Sequence, residues 1–80
     1  MRLDKYLKVS RIIKRRTVAR DFAEHDRVLV NGKLAKPSTI VKKGDIITIQ
    51  IGEKQNVFEV LDIKENIKAN EAKNLYRPIE

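Results

Sequence analysis

Apolar side chains recur at helical spacing near the start of the chain and at alternate positions further on. In "RLDKYLKVS", Leu3, Tyr6, Leu7 and Ser10 fall on one stripe, with Asp4, Lys5 and Lys8 off it. This predicts a short amphipathic helix. "TVARDFAEH" gathers Val18, Ala19, Phe22 and Ala23 into one arc, with Arg20, Asp21 and Glu24 opposite. One unbroken helix through both segments would set Val18 and Phe22 among Arg11 and Arg15, so the faces do not reconcile. The pattern therefore predicts two helices with a break between about Ser10 and Thr17. Thr17 is the expected N-cap of the second. Asp21 and Glu24 would then lie in its first two turns, near the positive end of the dipole.

Beyond residue 26 the period changes to two. "RVLVNGKLA" is two short runs around Asn31-Gly32, a strong signal for a tight hairpin. "VKKGDIITIQI" reads as a turn, with Gly44 free to take positive φ, followed by a strand. Ile47, Ile49 and Ile51 share one face of that strand; Ile46, Thr48 and Gln50 share the other. "GEKQN" reads as a polar turn, "VFEVLDI" as a further strand, "NEAKNLY" as a final helical turn or two, and "RPIE" as a tail. The expected architecture is α+β: two short N-terminal helices packed on a small twisted antiparallel sheet, then a short C-terminal helical segment. Residues 1–64 are read as the domain with its sheet extension and 65–80 as a C-terminal segment. The expected core includes Leu7, Phe22, Val30 and Ile49.

Charge changes this picture from a fold to a candidate surface. The net charge is +7. Residues 1–25 hold eight Lys/Arg against three acids, residues 26–51 five against two, and residues 52–80 five against six. A basic region confined to part of a small domain is an electrostatic footprint for a polyanion. There is no cysteine and only one histidine, His25. Thiolate zinc sites and disulfides are thereby excluded, and no metal or cofactor is expected. "MRLDKYLKVSR" has no apolar run resembling a signal peptide, and "IITIQI" is too short to span a bilayer. The expectation is a cytoplasmic chain with no membrane partner, monomeric on its own.

The densest charge lies in "SRIIKRRTVAR", where Arg11, Lys14, Arg15, Arg16 and Arg20 fall at the break between the helices. Arg15 and Arg16 are the foremost candidates. A guanidinium presents a planar fork of donors matched to phosphate oxygens, and a helix N-terminus adds amides and a favourable dipole. Arg11 and Lys14 extend the patch, with Ile12 and Ile13 as the buried hinge beneath it. Arg2 and Lys5 flank the first helix. Asp4 has two open roles: orienting a neighbouring arginine or accepting from a ribose hydroxyl, or simply favouring the start of a helix. Lys33, with Lys36, Lys42 and Lys43, widens the positive field. Tyr6 and Phe22 read as core, so no base stacking is expected.

These residues carry a resemblance. "RLDKYL", then "SR" and "RR", then "RVLVNG", "KPS" and "VKKGD" before a β-branched strand, resemble in order and spacing the S4 RNA-binding domain over about Met1 to Ile51. The resemblance implies the alpha-L fold, in which two helices and the first hairpin form an L-shaped RNA-binding surface. The opening "MRLDKYLKVSRIIKRRT" and the closing "NEAKNLYRPIE" are similar to the stand-alone members that act in ribosome-associated quality control. That likeness implies binding to obstructed large ribosomal subunits through 23S rRNA and the peptidyl-tRNA of the P-site. It also implies support of C-terminal alanine tailing with RqcH, the partner that delivers alanyl-tRNA. A heat-shock S4-type factor that recycles such subunits, and a generic rRNA-binding chaperone, are the alternatives. One departure is visible: the family often has Gly just before "RVLVNG", where this chain has Asp26, which tolerates left-handed geometry less well.

An enzyme is not expected. The S4 domain occurs in pseudouridine synthases beside a separate catalytic domain, for which 80 residues leave no space. No nucleophile–base pair and no phosphate-cradling glycine loop is visible. A helix-turn-helix reading would leave "RVLVNG" and "KPS" unexplained, and it would put the charge on a second-helix face instead of at the break.

Overall fold

The computed structural model describes residues 1–79. Two helices, α1 (Leu3–Val9) and α2 (Arg16–Glu24), precede strands β1 (Val28–Val30), β2 (Lys33–Leu34), β3 (Ile46–Ile51) and β4 (Lys54–Val60). A 3-10 helix (Ala69–Leu75) and a last strand, β5 (Tyr76–Ile79), follow. The strands form one antiparallel sheet in the order β2-β1-β3-β4-β5. Among the described residues no helix is long and apolar enough to cross a membrane, and no group of side chains is arranged to hold a metal ion.

A single core joins both layers. Leu3, Tyr6 and Leu7 from α1 and Ala19 and Ala23 from α2 meet Val28, Ile47, Ile49 and Val60 of the sheet, all buried. The register explains the choice: Val28 sits opposite Ile49, and Val30 opposite Ile47, so these side chains share the helix-facing side. Ile51 continues the same alternation but is half exposed at the strand's end. Phe22 and Val30 are only partly buried, at the margin of the core and not within it. Phe22 also lies under the Arg27 guanidinium, 5.5 Å from the ring centroid.

Both helices end in left-handed residues. At the end of α2, Asp26 takes φ 59°, Arg27 N–H reaches Phe22 O at 3.0 Å and Asp26 N–H reaches Ala23 O. This is the paired-bond terminus that usually employs glycine, so Asp26 adopts the geometry its position demands. Arg11 takes φ 61° after α1, its N–H reaching Lys8 O. Asn31 and Gly32, at φ 53° and 80°, make the expected tight hairpin.

Several boundaries differ from the sequence expectation. Helix α2 begins at Arg16 with Arg15 at the N-cap, so Thr17 is inside the helix and caps nothing. Its first turn contains no acid, which moves Asp21 and Glu24 away from the positive end. Only Gly52 and Glu53 form the turn after β3, since Lys54, Gln55 and Asn56 pair with it. Strand β4 stops at Val60, leaving Leu61, Asp62 and Ile63 outside it. "RPI" is not a tail but most of β5, paired with β4; Glu80 lies outside the described residues. Pro78 is accommodated because β5 is an edge strand, where a missing donor costs nothing.

Candidate nucleic-acid interface

The loop after the hairpin fixes the start of α1. Leu3 N–H donates to Thr39 O at 2.7 Å and Asp4 N–H to Pro37 O at 3.2 Å, while Val41 N–H donates to Met1 O. Carbonyls of "KPSTI" thus satisfy orphan donors of the helix N-terminus, which lacks a side-chain cap. The tethering leaves Asp4 with its carboxylate almost wholly buried, at 3 % side-chain exposure.

That carboxylate is surrounded by donors. Arg2 Nε and Nη2 donate to its two oxygens at 3.3 and 3.2 Å, and Arg16 Nη2 donates at 3.4 Å. The Lys5 N–H completes the set at 2.8 Å. One acid therefore holds two guanidiniums, one from the N-cap of α1 and one from the first turn of α2, each about half exposed. With Thr17 and Arg20 they border a shallow cleft of about 230 Å³. Asp4 thus bonds two arginines and also lies in the first turn of α1, so both roles open in the sequence are compatible with its position.

The N-terminus of α2 opens beside this pair. It has Arg15 at the cap and Arg16 in its first turn, no side-chain cap and no acid. Cations at the positive end of a helix are disfavoured, by ~0.3–1 kcal/mol each. The arrangement becomes favourable once an anion occupies the same place, since the amides and guanidiniums then share it. Bidentate forks held in position by a buried acid are suited to phosphate oxygens.

The remaining candidates are distributed around this corner. Arg20 is exposed and paired with Glu24 at 2.8 Å, one turn along α2. Lys5 reaches Glu65 at 3.1 Å. Lys14 and Arg15 are exposed and, among the described residues, make no ion pair. Lys33 is exposed on β2 at the sheet edge. Arg11 stands apart, lining a second cleft with Lys8 and Lys68. The break between the helices does not aim all its charges one way, because the left-handed turn at Arg11 redirects the chain. Lys68 and the second cleft were invisible in sequence, since nothing in "ENIKAN" signals that it packs beside α1.

Comparison with known proteins fits this geometry. The family model described as "S4 domain" matches residues 1–47. A protein of Halalkalibacterium halodurans named RQC P-site tRNA stabilizing factor is 50 % identical over 76 residues, covering 95 % of this chain and 86 % of that protein. A Bacillus subtilis protein of the same name is 49 % identical over 76 residues, covering 95 % and 88 %. Among solved structures, the trimeric structure of Vibrio cholerae heat shock protein 15 superposes with a TM-score of 0.88 at 38 % identity, covering 99 % of this chain and 81 % of that one. The buried acid between two arginines, the hairpin and the loop that anchors α1 all fall within the matched residues, and the chain belongs to the S4 domain family.

Proposed function

We propose that this chain is a non-catalytic RNA-binding factor of ribosome-associated quality control. It binds obstructed large ribosomal subunits, contacting 23S rRNA and the peptidyl-tRNA of the P-site, and so supports alanine tailing with RqcH. The names of its relatives support the process. The observation that carries the RNA-binding part is the Asp4-held pair of Arg2 and Arg16 beside the cationic N-terminus of α2. In this reading Arg2, Arg15 and Arg16 grip phosphates, and Asp4 fixes the angle between Arg2 and Arg16. Lys5, Lys14, Arg20 and Lys33 contribute charge around the corner, and Arg11 contributes it from the second cleft. A small domain with such a surface gains specificity from a composite site, where two RNA backbones lie close and neither alone presents the full charge pattern.

The test is co-sedimentation with purified large subunits, bare or carrying peptidyl-tRNA, with small subunits alongside. The expected result is preference for tRNA-loaded large subunits, weakened in Arg15→Ala with the circular dichroism melting curve near wild type. Substitutions of exposed, unpaired side chains ordinarily move stability by within ~0.5 kcal/mol. The preference is lost in Arg15→Ala/Arg16→Ala, where the melting temperature also falls because Asp4 loses its bond from Arg16. Equal binding to small subunits, or indifference to the tRNA, overturns the reading. Release of bound subunits of either kind without regard to alanine tailing would favour the heat-shock S4-type alternative, to which the superposition with heat shock protein 15 gives its weight.

A further inference from the structure

The cleft at the far end of α1 has the chemistry of a second anion surface. It is lined by Lys8, Val9 and Arg11 on one side and by Glu65, Asn66, Ile67 and Lys68 on the other, with a volume of about 350 Å³. Helix α1 spans seven residues, so this cleft and the Asp4 corner are separated by about 10 Å of helix. Three cations face it. Its one acid, Glu65, is held by Lys5 at 3.1 Å, which offsets the repulsion it would exert on an anion.

Arg11 supplies an independent sign. It adopts φ 61°, in a position where helices ordinarily place glycine. Among the described residues three non-glycine residues are left-handed, and the other two are Asp26 and Asn31, types that tolerate this region. Arginine does not share that tolerance, and its side chain recovers nothing locally. Among the described residues it makes no side-chain hydrogen bond and no ion pair. An exposed guanidinium kept at a backbone cost is the signature of a group retained for something it binds.

We infer that Lys8, Arg11 and Lys68 form a second contact for an RNA phosphate backbone, at the opposite end of α1 from the Asp4 corner. The surface that meets RNA then extends past the residues 1–47 matched by the family model, because Lys68 lies in the C-terminal segment. The apolar edges of Val9 and Ile67 give the cleft walls, and the lysine ammoniums and the guanidinium supply donors to phosphate oxygens. The inference rests on the RNA-binding reading above and adds a separate set of residues to it.

Arg11→Gly makes the test unusually direct. Glycine suits the left-handed position, so this variant is expected to melt at or above the wild-type temperature. The probe is a fluorescently labelled RNA hairpin with a stem long enough to reach both sites, titrated at several salt concentrations. Arg11→Gly, and separately Lys68→Gln, are expected to weaken binding by roughly 3- to 10-fold. Each is also expected to flatten the plot of log affinity against log salt by about one contact's worth, a slope change of ~0.7–0.9. Arg16→Ala serves as the control for the first site. If it weakens binding while Arg11→Gly and Lys68→Gln leave affinity and slope unchanged, the second contact is refuted and the first survives. If Arg16→Ala also has no effect, the RNA-binding reading itself fails. A loss of affinity in Arg11→Gly accompanied by a lowered melting temperature would likewise overturn the inference, since it would make Arg11 a structural residue.

Discussion

Replacing Asp4 with asparagine separates two accounts of the basic surface. If the surface acts only as a positive field, removing one acid from a chain of net charge +7 should strengthen RNA binding. If it acts through held guanidiniums, binding should weaken although the protein becomes more positive. The structure favours the second outcome. Asp4 accepts from Arg2 at 3.3 and 3.2 Å and from Arg16 at 3.4 Å, with its own side chain at 3 % exposure. Asparagine has nearly the same volume, so no cavity opens, but it retains one acceptor oxygen and points an amide donor at a guanidinium. Hydrogen bonds to charged groups contribute ~1.5–3 kcal/mol when buried. The arginine side chains are 46 % and 48 % exposed, so water screens them and the lower part of that range applies. The expected cost is ~1–2 kcal/mol of stability, a fall of roughly 4–16 °C in melting temperature for a domain of this size. Freed arginines must be re-ordered on the ligand, which should weaken affinity about tenfold, or ~1.4 kcal/mol. Circular dichroism melting and fluorescence anisotropy with a labelled RNA hairpin, at a temperature where both proteins are folded, give the two numbers. Equal or tighter binding by Asp4→Asn would refute the held-guanidinium account and leave the field alone.

Three further outcomes follow from the core and its margin. Burial, helped by Tyr76 and Asp62 nearby, holds the Tyr6 hydroxyl protonated well beyond the usual phenol range, while it donates to Leu75 O at 2.7 Å. A pKa raised in the fold means stability that is complete below about pH 10, the unfolded value, and is lost as pH rises above it by up to ~1.4 kcal/mol per pH unit. Tyr6→Phe should cost ~0.5–1.5 kcal/mol at neutral pH through the lost hydrogen bond, since Leu75 O still accepts from Leu61 N–H at 2.8 Å, and should flatten the alkaline branch of a stability-against-pH curve; an unchanged branch would exclude Tyr6 as its source. Leu7→Ala, at a wholly buried position, should cost ~2–5 kcal/mol in chemical denaturation. Phe22→Ala should cost clearly less than the full core penalty of ~3–5 kcal/mol, because the ring is only partly buried; the reverse order would mean the margin of the core is misplaced.

Much of this fold was legible where one physical signal dominated. The two helices, the Asn31-Gly32 turn and the positive φ of Gly44 each reflect a single strong preference, and each appears in the structure, although Val18 of the second stripe is exposed and only Ala19 and Ala23 are fully buried. Even Asp26 could be foreseen as the residue required to take the left-handed conformation. Strand β5 was hidden because "YRPI" carries an arginine and a proline, which disguise an edge strand as a tail. The strand nature of Lys54, Gln55 and Asn56 was hidden likewise, since their side chains are exposed and only their backbones pair. The candidate site was legible in composition but not in direction. Sequence placed Arg11 and Arg16 in one patch five residues apart, whereas a left-handed turn sends them to different clefts. Asp4 was ambiguous because its role depends on Arg16, twelve residues away, and on carbonyls from Pro37 and Thr39 that anchor the helix.

The same geometry explains why so small a chain keeps so dense a cluster of charge. Repulsion among the cations and their position at the positive end of α2 both work against the folded state when nothing is bound. Asp4 offsets part of this by burying one negative charge where it reaches two guanidiniums at once. It cannot offset the rest, because Arg15, Lys14 and Arg11 make no ion pair among the described residues. The unbound surface therefore remains electrostatically unsatisfied, and a polyanion that fills it relieves the repulsion, completes the helix N-terminus and uses arginines whose orientation is already set. Any ligand that binds only the folded chain also stabilises it by mass action. Binding and folding thus draw on the same interactions, so the marginal stability expected of a domain this small is least in need of support where the charge pattern is most complete: on its RNA.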